Sequence, residues 1–314
     1  MGEDFKNKYI AIVASGGRTG TTFFGNLLSG IIENSFSVHE PDMFAGFNAQ
    51  TWSRIRAFGF YHMLIGRVIG RTGIRNLNQK YLAGTLSEEQ LALAIRQHRE
   101  KYYGSINESY IIESYPQWYG VLPVLPKVFP HYKVVGLIRD PRTWVQSMVN
   151  QEGFYGGNKP FLKFLHKILD PFMIGDQVYM ARWPNMSEFE KSCWLWTAVT
   201  KTLQHAEAQD KNIKIFRYED LFLAPGRDQN MENMLCFMTK YEDRIFKYKF
   251  DPSILNIVKN SSQSAKMPLW QDWPQELCLQ MNEICGSLMR DCGYGMEREW
   301  QNKIVIKKEG LIIG

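Results

Sequence analysis

Apolar positions along the chain fall into two alternating patterns. Short runs of β-branched and aromatic residues, each closed by Gly, Pro or polar residues, predict strands at 9–14, 35–39, 110–114, 133–138 and 213–217. The run Val134-Val-Gly-Leu-Ile138 has no polar break, as expected of a strand buried on both faces of a parallel sheet. Between the strands the apolar residues recur at helical spacing. Phe23, Phe24, Leu27, Leu28, Ile31 and Ile32 predict one helix; Trp144, Val145, Met148 and Val149 another. A longer helix is expected over 189–208, through Trp194, Leu195, Ala198, Val199 and Leu203. Ser87-Glu-Glu-Gln90 has the spacing of a capping box and predicts a helix through Leu91, Leu93, Ile95 and Arg99. A last helix is expected from Pro274, closing at Gly293. Strands alternating with helices imply an α/β fold: a P-loop-type parallel sheet of about five strands, flanked by helices and joined by right-handed crossovers. Neither repeats nor low-complexity linkers divide the chain, so a single domain over 1–314 is expected.

Two stretches depart from this alternation and read as helical insertions, 43–87 and 153–184. The first contains no Asp or Glu, yet carries Arg54, Arg56, Arg67, Arg71, Arg75 and Lys80 among many aromatic and aliphatic residues. It fits either a surface for an anionic acceptor or a peripheral membrane contact, or an ordinary insertion whose arginines are solvated. The second is punctuated by Pro160, Pro171 and Pro184 and reads as a surface excursion with short helices.

Composition narrows the picture a little. The 314 residues carry a formal net charge of +5, too modest to imply a nucleic-acid partner. The five cysteines form no C-x-x-C pair and the histidines are scattered, so no metal site is expected. Cys278, Cys285 and Cys292 recur at seven-residue spacing on one helix face, where buried thiols are expected. The polar N-terminus shows no signal-peptide core and no run reaches the length of a membrane span; a cytoplasmic location is the expectation.

The candidate chemistry begins where the first strand ends. Ser15-Gly-Gly-Arg-Thr-Gly-Thr-Thr22 leads directly into a helix, the strand–loop–helix layout whose backbone N–H groups and helix dipole hold phosphate. In the triphosphate-binding version a Lys follows the last glycine; here Thr21 follows Gly20 and the fixed cation is Arg18. His39 and Glu40, followed by Pro41, stand at the end of the second strand, where open α/β sheets place chemistry. Arg139-Asp-Pro-Arg142 closes the fourth strand. Arg139 and Ser147 can meet on one anion only if the following helix folds back beside the strand end.

Taken in order, these motifs resemble those of the sulfotransferases that use 3′-phosphoadenosine-5′-phosphosulfate (PAPS), closer to the carbohydrate and bacterial branches than to the small-molecule cytosolic one. Arg18-Thr-Gly-Thr-Thr22 is similar to the family's 5′-phosphosulfate loop, and Arg139-Asp-Pro-Arg142 with Ser147 to its 3′-phosphate motif. Arg217-Tyr-Glu-Asp-Leu221 is similar to a family strand end, and Trp270 through Tyr294 to its closing helix and Gly-Tyr pair. The resemblance implies that Gly17, Arg18, Thr19, Gly20, Thr21 and Thr22 hold the 5′-phosphosulfate, with Arg18 stabilising the leaving phosphate. It implies that Arg139 and Ser147, with Lys266, grip the 3′-phosphate, and that Tyr218 lies near the adenine. Ile112-Glu-Ser-Tyr-Pro116 lacks the His that small-molecule members use as base. The other branches place a Glu after strand two, so Glu40 is the implied general base, with His39 and then Glu113 in reserve. The expected product is adenosine-3′,5′-bisphosphate, with no metal required. The expected acceptor is a hydroxyl of a carbohydrate, a glycolipid or another amphiphilic alcohol. A nucleotide or nucleoside kinase on the same phosphate loop, and a catalytically silent nucleotide-binding protein, are the alternatives.

Overall fold

The computed structural model describes residues 3–43, 49–150, 168–256 and 267–305. Five strands form one all-parallel sheet: β1 (Tyr9–Ser15), β2 (Ser35–His39), β3 (Tyr110–Ser114), β4 (His131–Ile138) and β5 (Ile213–Arg217), in the order β2-β3-β1-β4-β5. The α/β class and the strand positions read from the sequence hold. β4 starts earlier than its apolar run because the ladder with β1 continues through Tyr9↔His131 and Ile10↔Tyr132, where the Tyr9 ring stacks on His131 at 4.4 Å.

β1 is the centre of the sheet and is buried along its whole length. Ile10, Ile12 and Ala14 point into one apolar layer with Val134, Ile138, Trp144 and Leu203. Tyr9, Ala11 and Val13 point into the other, with Phe24, Leu28, Leu235 and Met238. A strand covered on both faces has no use for polar alternation, which is why its sequence is continuously apolar.

Helices Thr21–Ile31, Glu88–Gly104, Pro141–Asn150, Glu188–Gln209 and Gln275–Asp291 follow the expected patterns. Ser87 and Gln90 form the reciprocal capping box, Ser87 Oγ accepting from the Gln90 N–H at 3.3 Å and Gln90 Oε1 from the Ser87 N–H at 3.0 Å. Leu93 does not join the core; it faces solvent while Leu91, Ile95 and Arg99 turn inward. A second capping box, Ser187 with Glu190, opens the Glu188–Gln209 helix. The last helix closes at Gly293 with φ +78°, and Cys278, Cys285 and Cys292 on its inner face are buried free thiols.

The 43–87 insertion folds as helix Ala49–Phe58, a π-helical turn Tyr61–Gly66 and helix Ile74–Leu82. In the second insertion, Pro171–Ile174, Gln177–Arg182 and Trp183–Asn185 are the expected short helices; 153–167 lies outside the described residues. No helix among the described residues is long and apolar enough to cross a membrane.

Candidate active site

β1 and β4 are neighbours, yet the chain leaves β1 toward β2 and leaves β4 toward β5. That divergence opens a crevice at their carboxyl ends, the usual ligand position in such sheets. Residues 16–20 and 139–140 border it.

The loop after β1 is held open by its neighbours. The Gly17 N–H donates to Ser15 Oγ at 2.9 Å, and Trp144 Nε1 donates to the Gly17 carbonyl at 2.7 Å. A Cβ on Gly16 would stand 3.2 Å from the Trp144 ring, so glycine permits this packing. Gly17, Arg18 and Gly20 all have positive φ (83°, 57° and 81°), and for Arg18 this is a strained conformation. The outcome is a run of unused donors. Among the described residues the five successive amides of Arg18, Thr19, Gly20, Thr21 and Thr22 have no hydrogen-bond acceptor. They lie at the start of the Thr21–Ile31 helix, where the dipole adds positive potential. Thr19 is buried with its hydroxyl unpartnered; Thr21 is buried and Thr22 faces solvent.

Arg18 Nε donates to Ser147 Oγ at 3.0 Å. Arg139 Nη1 donates to the Arg18 carbonyl at 2.9 Å, its Nε donates to Thr143 Oγ1 at 3.0 Å, and its guanidinium lies 4.8 Å from the centre of the Tyr218 ring. The Pro141–Asn150 helix therefore does fold back beside the strand end, bringing Arg18, Arg139, Ser147 and Tyr218 together. Neither arginine forms an ion pair among the described residues. Burial, and then the charge of Arg139, lower the pKa of Arg18. Two adjacent guanidiniums without a carboxylate form a place that favours a polyanion.

The opposite side of the loop carries His39 and Glu40. Gly25 lets the Thr21–Ile31 helix approach β2 so closely that a Cβ there would lie 2.5 Å from His39 Cβ. His39 Nδ1 is 3.1 Å from the Ser114 carbonyl, which can only accept, so Nδ1 carries the proton and Nε2 faces Thr22 Oγ1 at 3.4 Å. Glu40 Oε1 is 3.9 Å from that Nε2. Glu40 has φ +45°, the second strained residue of the site. Its N–H donates to the Ser114 carbonyl and its own carbonyl accepts from Met43, both at 3.0 Å. Both side chains are partly exposed, at 24% for His39 and 19% for Glu40, so they are neither free on the surface nor sealed in the core.

Two expectations change here. Glu113 is not available as a base. Its carboxylate is completely buried and takes hydrogen bonds from Arg99 (2.6 Å), Tyr103 (2.6 Å) and Trp118 Nε1 (2.9 Å). Burial raises its pKa; the charge of Arg99 opposes this and that of Asp42 adds to it. And two arginines of the acid-free insertion are not merely solvated. Arg54 donates to the carbonyls of His39 (3.1 Å) and Met43 (3.0 Å), and Arg67 to that of Asp42 (3.2 Å), so they clamp the turn that carries Glu40. Lys266 lies outside the described residues.

Beneath the crevice a polar network joins three of the sequence motifs. Glu219 accepts from the Asp140 N–H at 3.0 Å and from the Tyr294 hydroxyl at 2.7 Å, and burial raises its pKa. Asp140 also holds Arg142 (2.6 Å), which reaches Glu297 (2.9 Å) and packs over Trp270 at 4.3 Å. No sequence pattern gives these residues a task; the available signal is an acid inside each of two separate motifs.

No protein-family model and no curated protein sequence matches the chain. Solved structures similar to it include the sulfotransferase domain from the curacin biosynthetic pathway, at 15% identity and TM-score 0.41 over 92% of this chain and 99% of that one. A sulfotransferase from Alicyclobacillus acidocaldarius matches at 13% identity and TM-score 0.41, over 94% and 98% of the two chains. One from Mycobacterium tuberculosis H37Rv matches at 14% and 0.43, over 90% and 78%.

Proposed function

We propose that this chain is a sulfotransferase that moves a sulfonate from PAPS to an acceptor hydroxyl. The observation that carries the reading is the crevice itself: five amides and two arginines that have, among the described residues, no acceptor and no acidic partner, with a hydroxyl and an aromatic ring next to them. That donor set fits a ligand with more than one phosphate-like group and a flat base. Thr21, where a triphosphate enzyme has Lys, speaks against the kinase alternative.

In this reading the amides of Arg18 to Thr22 hold the 5′-phosphosulfate, Arg139 and Ser147 the 3′-phosphate, and Tyr218 flanks the adenine. Bound there, the donor supplies a sulfonate activated by a phosphate leaving group. Arg18 is a fixed cation that stabilises negative charge as it develops on that leaving group. Glu40 receives the proton of the acceptor hydroxyl. His39 Nε2 orients the hydroxyl or the carboxylate, and the arginine clamp keeps the Glu40 turn from relaxing. The acceptor proposed for that hydroxyl is a carbohydrate, a glycolipid or another amphiphilic alcohol.

Melting curves with adenosine-3′,5′-bisphosphate, AMP and ATP–Mg²⁺ test the donor class. A ligand at about 100 times its dissociation constant adds about 2.7 kcal/mol of stability. The bisphosphate should raise the melting temperature, AMP less so and ATP–Mg²⁺ least. Arg139→Ala should reduce the bisphosphate response far more than the AMP response. Stabilisation by ATP–Mg²⁺ alone would overturn the proposal in favour of the kinase.

A further inference from the structure

The segment that clamps Glu40 has an outer face that the site does not use. Of the fifteen exposed large apolar side chains among the described residues, six lie within residues 52–69: Trp52, Phe60, Tyr61, Ile65, Val68 and Ile69, each between 47% and 58% exposed. Trp52 lies on the Ala49–Phe58 helix; Phe60, Tyr61, Ile65, Val68 and Ile69 recur at helical spacing along the π-helical turn Tyr61–Gly66 and just beyond it, after the break at Gly59 (φ +93°). The opposite stripe (Ile55, Phe58, Met63, Gly66) is buried against the body of the protein. A surface helix ordinarily turns polar residues outward; this one is apolar on both sides.

The charges around the stripe have one sign. Arg56 and Arg71 are exposed, and neither forms an ion pair among the described residues. Lys101, also exposed, brings its ammonium group next to Gly59, between the two helical pieces. No Asp or Glu occurs anywhere from 43 to 87. An apolar face carrying two aromatic rings and a tryptophan, rimmed by unpaired cations, is complementary to the headgroup layer of an anionic bilayer. There the rings enter the interface and the cations meet lipid phosphates and carboxylates.

We propose that the 52–71 face docks the protein onto anionic membrane surfaces as a peripheral contact. The proposal does not depend on sulfonate transfer, and its test needs no turnover. The full-length protein is sedimented with vesicles of phosphatidylcholine alone and of phosphatidylcholine mixed with phosphatidylserine. Binding to the mixed vesicles is expected, weakening as salt rises. Arg56→Gln and Arg71→Gln should each weaken it about fivefold, from the contribution of a single basic residue near a charged bilayer. Val68→Asp should abolish it, whereas Val178→Asp, at a still more exposed position elsewhere, should change nothing. The arginine variants alter only exposed, unpaired side chains, so they keep the test valid if Val68→Asp fails to fold. No binding to either vesicle, or arginine variants that bind like the wild type, would overturn the proposal. So would self-association in the ultracentrifuge that Val68→Asp removes without any vesicle binding; the face would then belong to a second copy of the chain.

Discussion

Three non-glycine residues among those described have positive φ: Arg18, Asn34 and Glu40. Asn34 sits in a turn, where its side chain tolerates that conformation. The other two are the cation and the carboxylate to which the proposed chemistry gives the largest parts. Strain of about 1–3 kcal/mol at such residues persists only where neighbours over-determine the backbone. Here Ser114, Met43 and Arg54 do so for the Glu40 turn. Glu40→Gln keeps the shape and removes the base, so turnover should fall by roughly 10²–10⁴ while the melting response to the bisphosphate stays intact. Full activity in that variant, measured by sulfonate transfer, would move the proton to His39; no transfer in the wild type with any acceptor would leave a nucleotide-binding protein without catalysis. That Arg18 and Glu40 stand next to strand ends was legible in the sequence; the parts proposed for them come from the resemblance. Glu113, also close to a strand end, misled. Only the arrival of Arg99 from a distant helix shows that its carboxylate is spent inside the core.

At the scale of elements, strand and helix periods were legible because both faces of the sheet are covered, so the apolar runs stand out. The clamp by Arg54 and Arg67 was not, because a guanidinium bonded to backbone carbonyls leaves no periodic trace. The Thr21–Ile31 helix and β2 meet closely at Gly25. Gly25→Ala would place a methyl carbon 2.5 Å from His39 Cβ and 2.8 Å from its backbone. The helix must then move away from the strand, at a cost of about 1–3 kcal/mol, and Thr22, His39 and Glu40 separate. Gly30, on the same helix, has open space where its Cβ would be. Gly30→Ala should therefore be neutral or stabilise by up to about 1 kcal/mol. Denaturant unfolding of the two variants distinguishes them; equal stabilities would mean that the close approach does not position β2.

For the molecule as a whole, acid stability turns on two imidazoles behind the clamp. His62 and His98 stand edge to face at 4.3 Å. Burial lowers His62 to about 4 and His98 to about 3; Arg99 adds to the effect and Asp42 opposes it. Both are neutral in the fold, whereas in the unfolded chain they take up protons near pH 6.5. Their contribution is therefore complete above about pH 6.5 and is lost progressively as pH falls from there to about 4 for His62 and about 3 for His98, with on the order of 3 kcal/mol at stake for His62. Melting temperature should drop across that range, and His62→Phe, which can still stack on Phe58, should flatten the decline. An unchanged acid limb would place its origin elsewhere. The order β2-β3-β1-β4-β5 has a further consequence, one of timing. Both sheet partners of β1 follow it about a hundred residues later along the chain, and the Glu219–Tyr294 tie later still. Until then the nascent chain exposes its most apolar strand with neither edge paired. Such long-range pairing folds slowly and exposes the chain to aggregation, so the crevice beside β1 can form only after β4 has been synthesised.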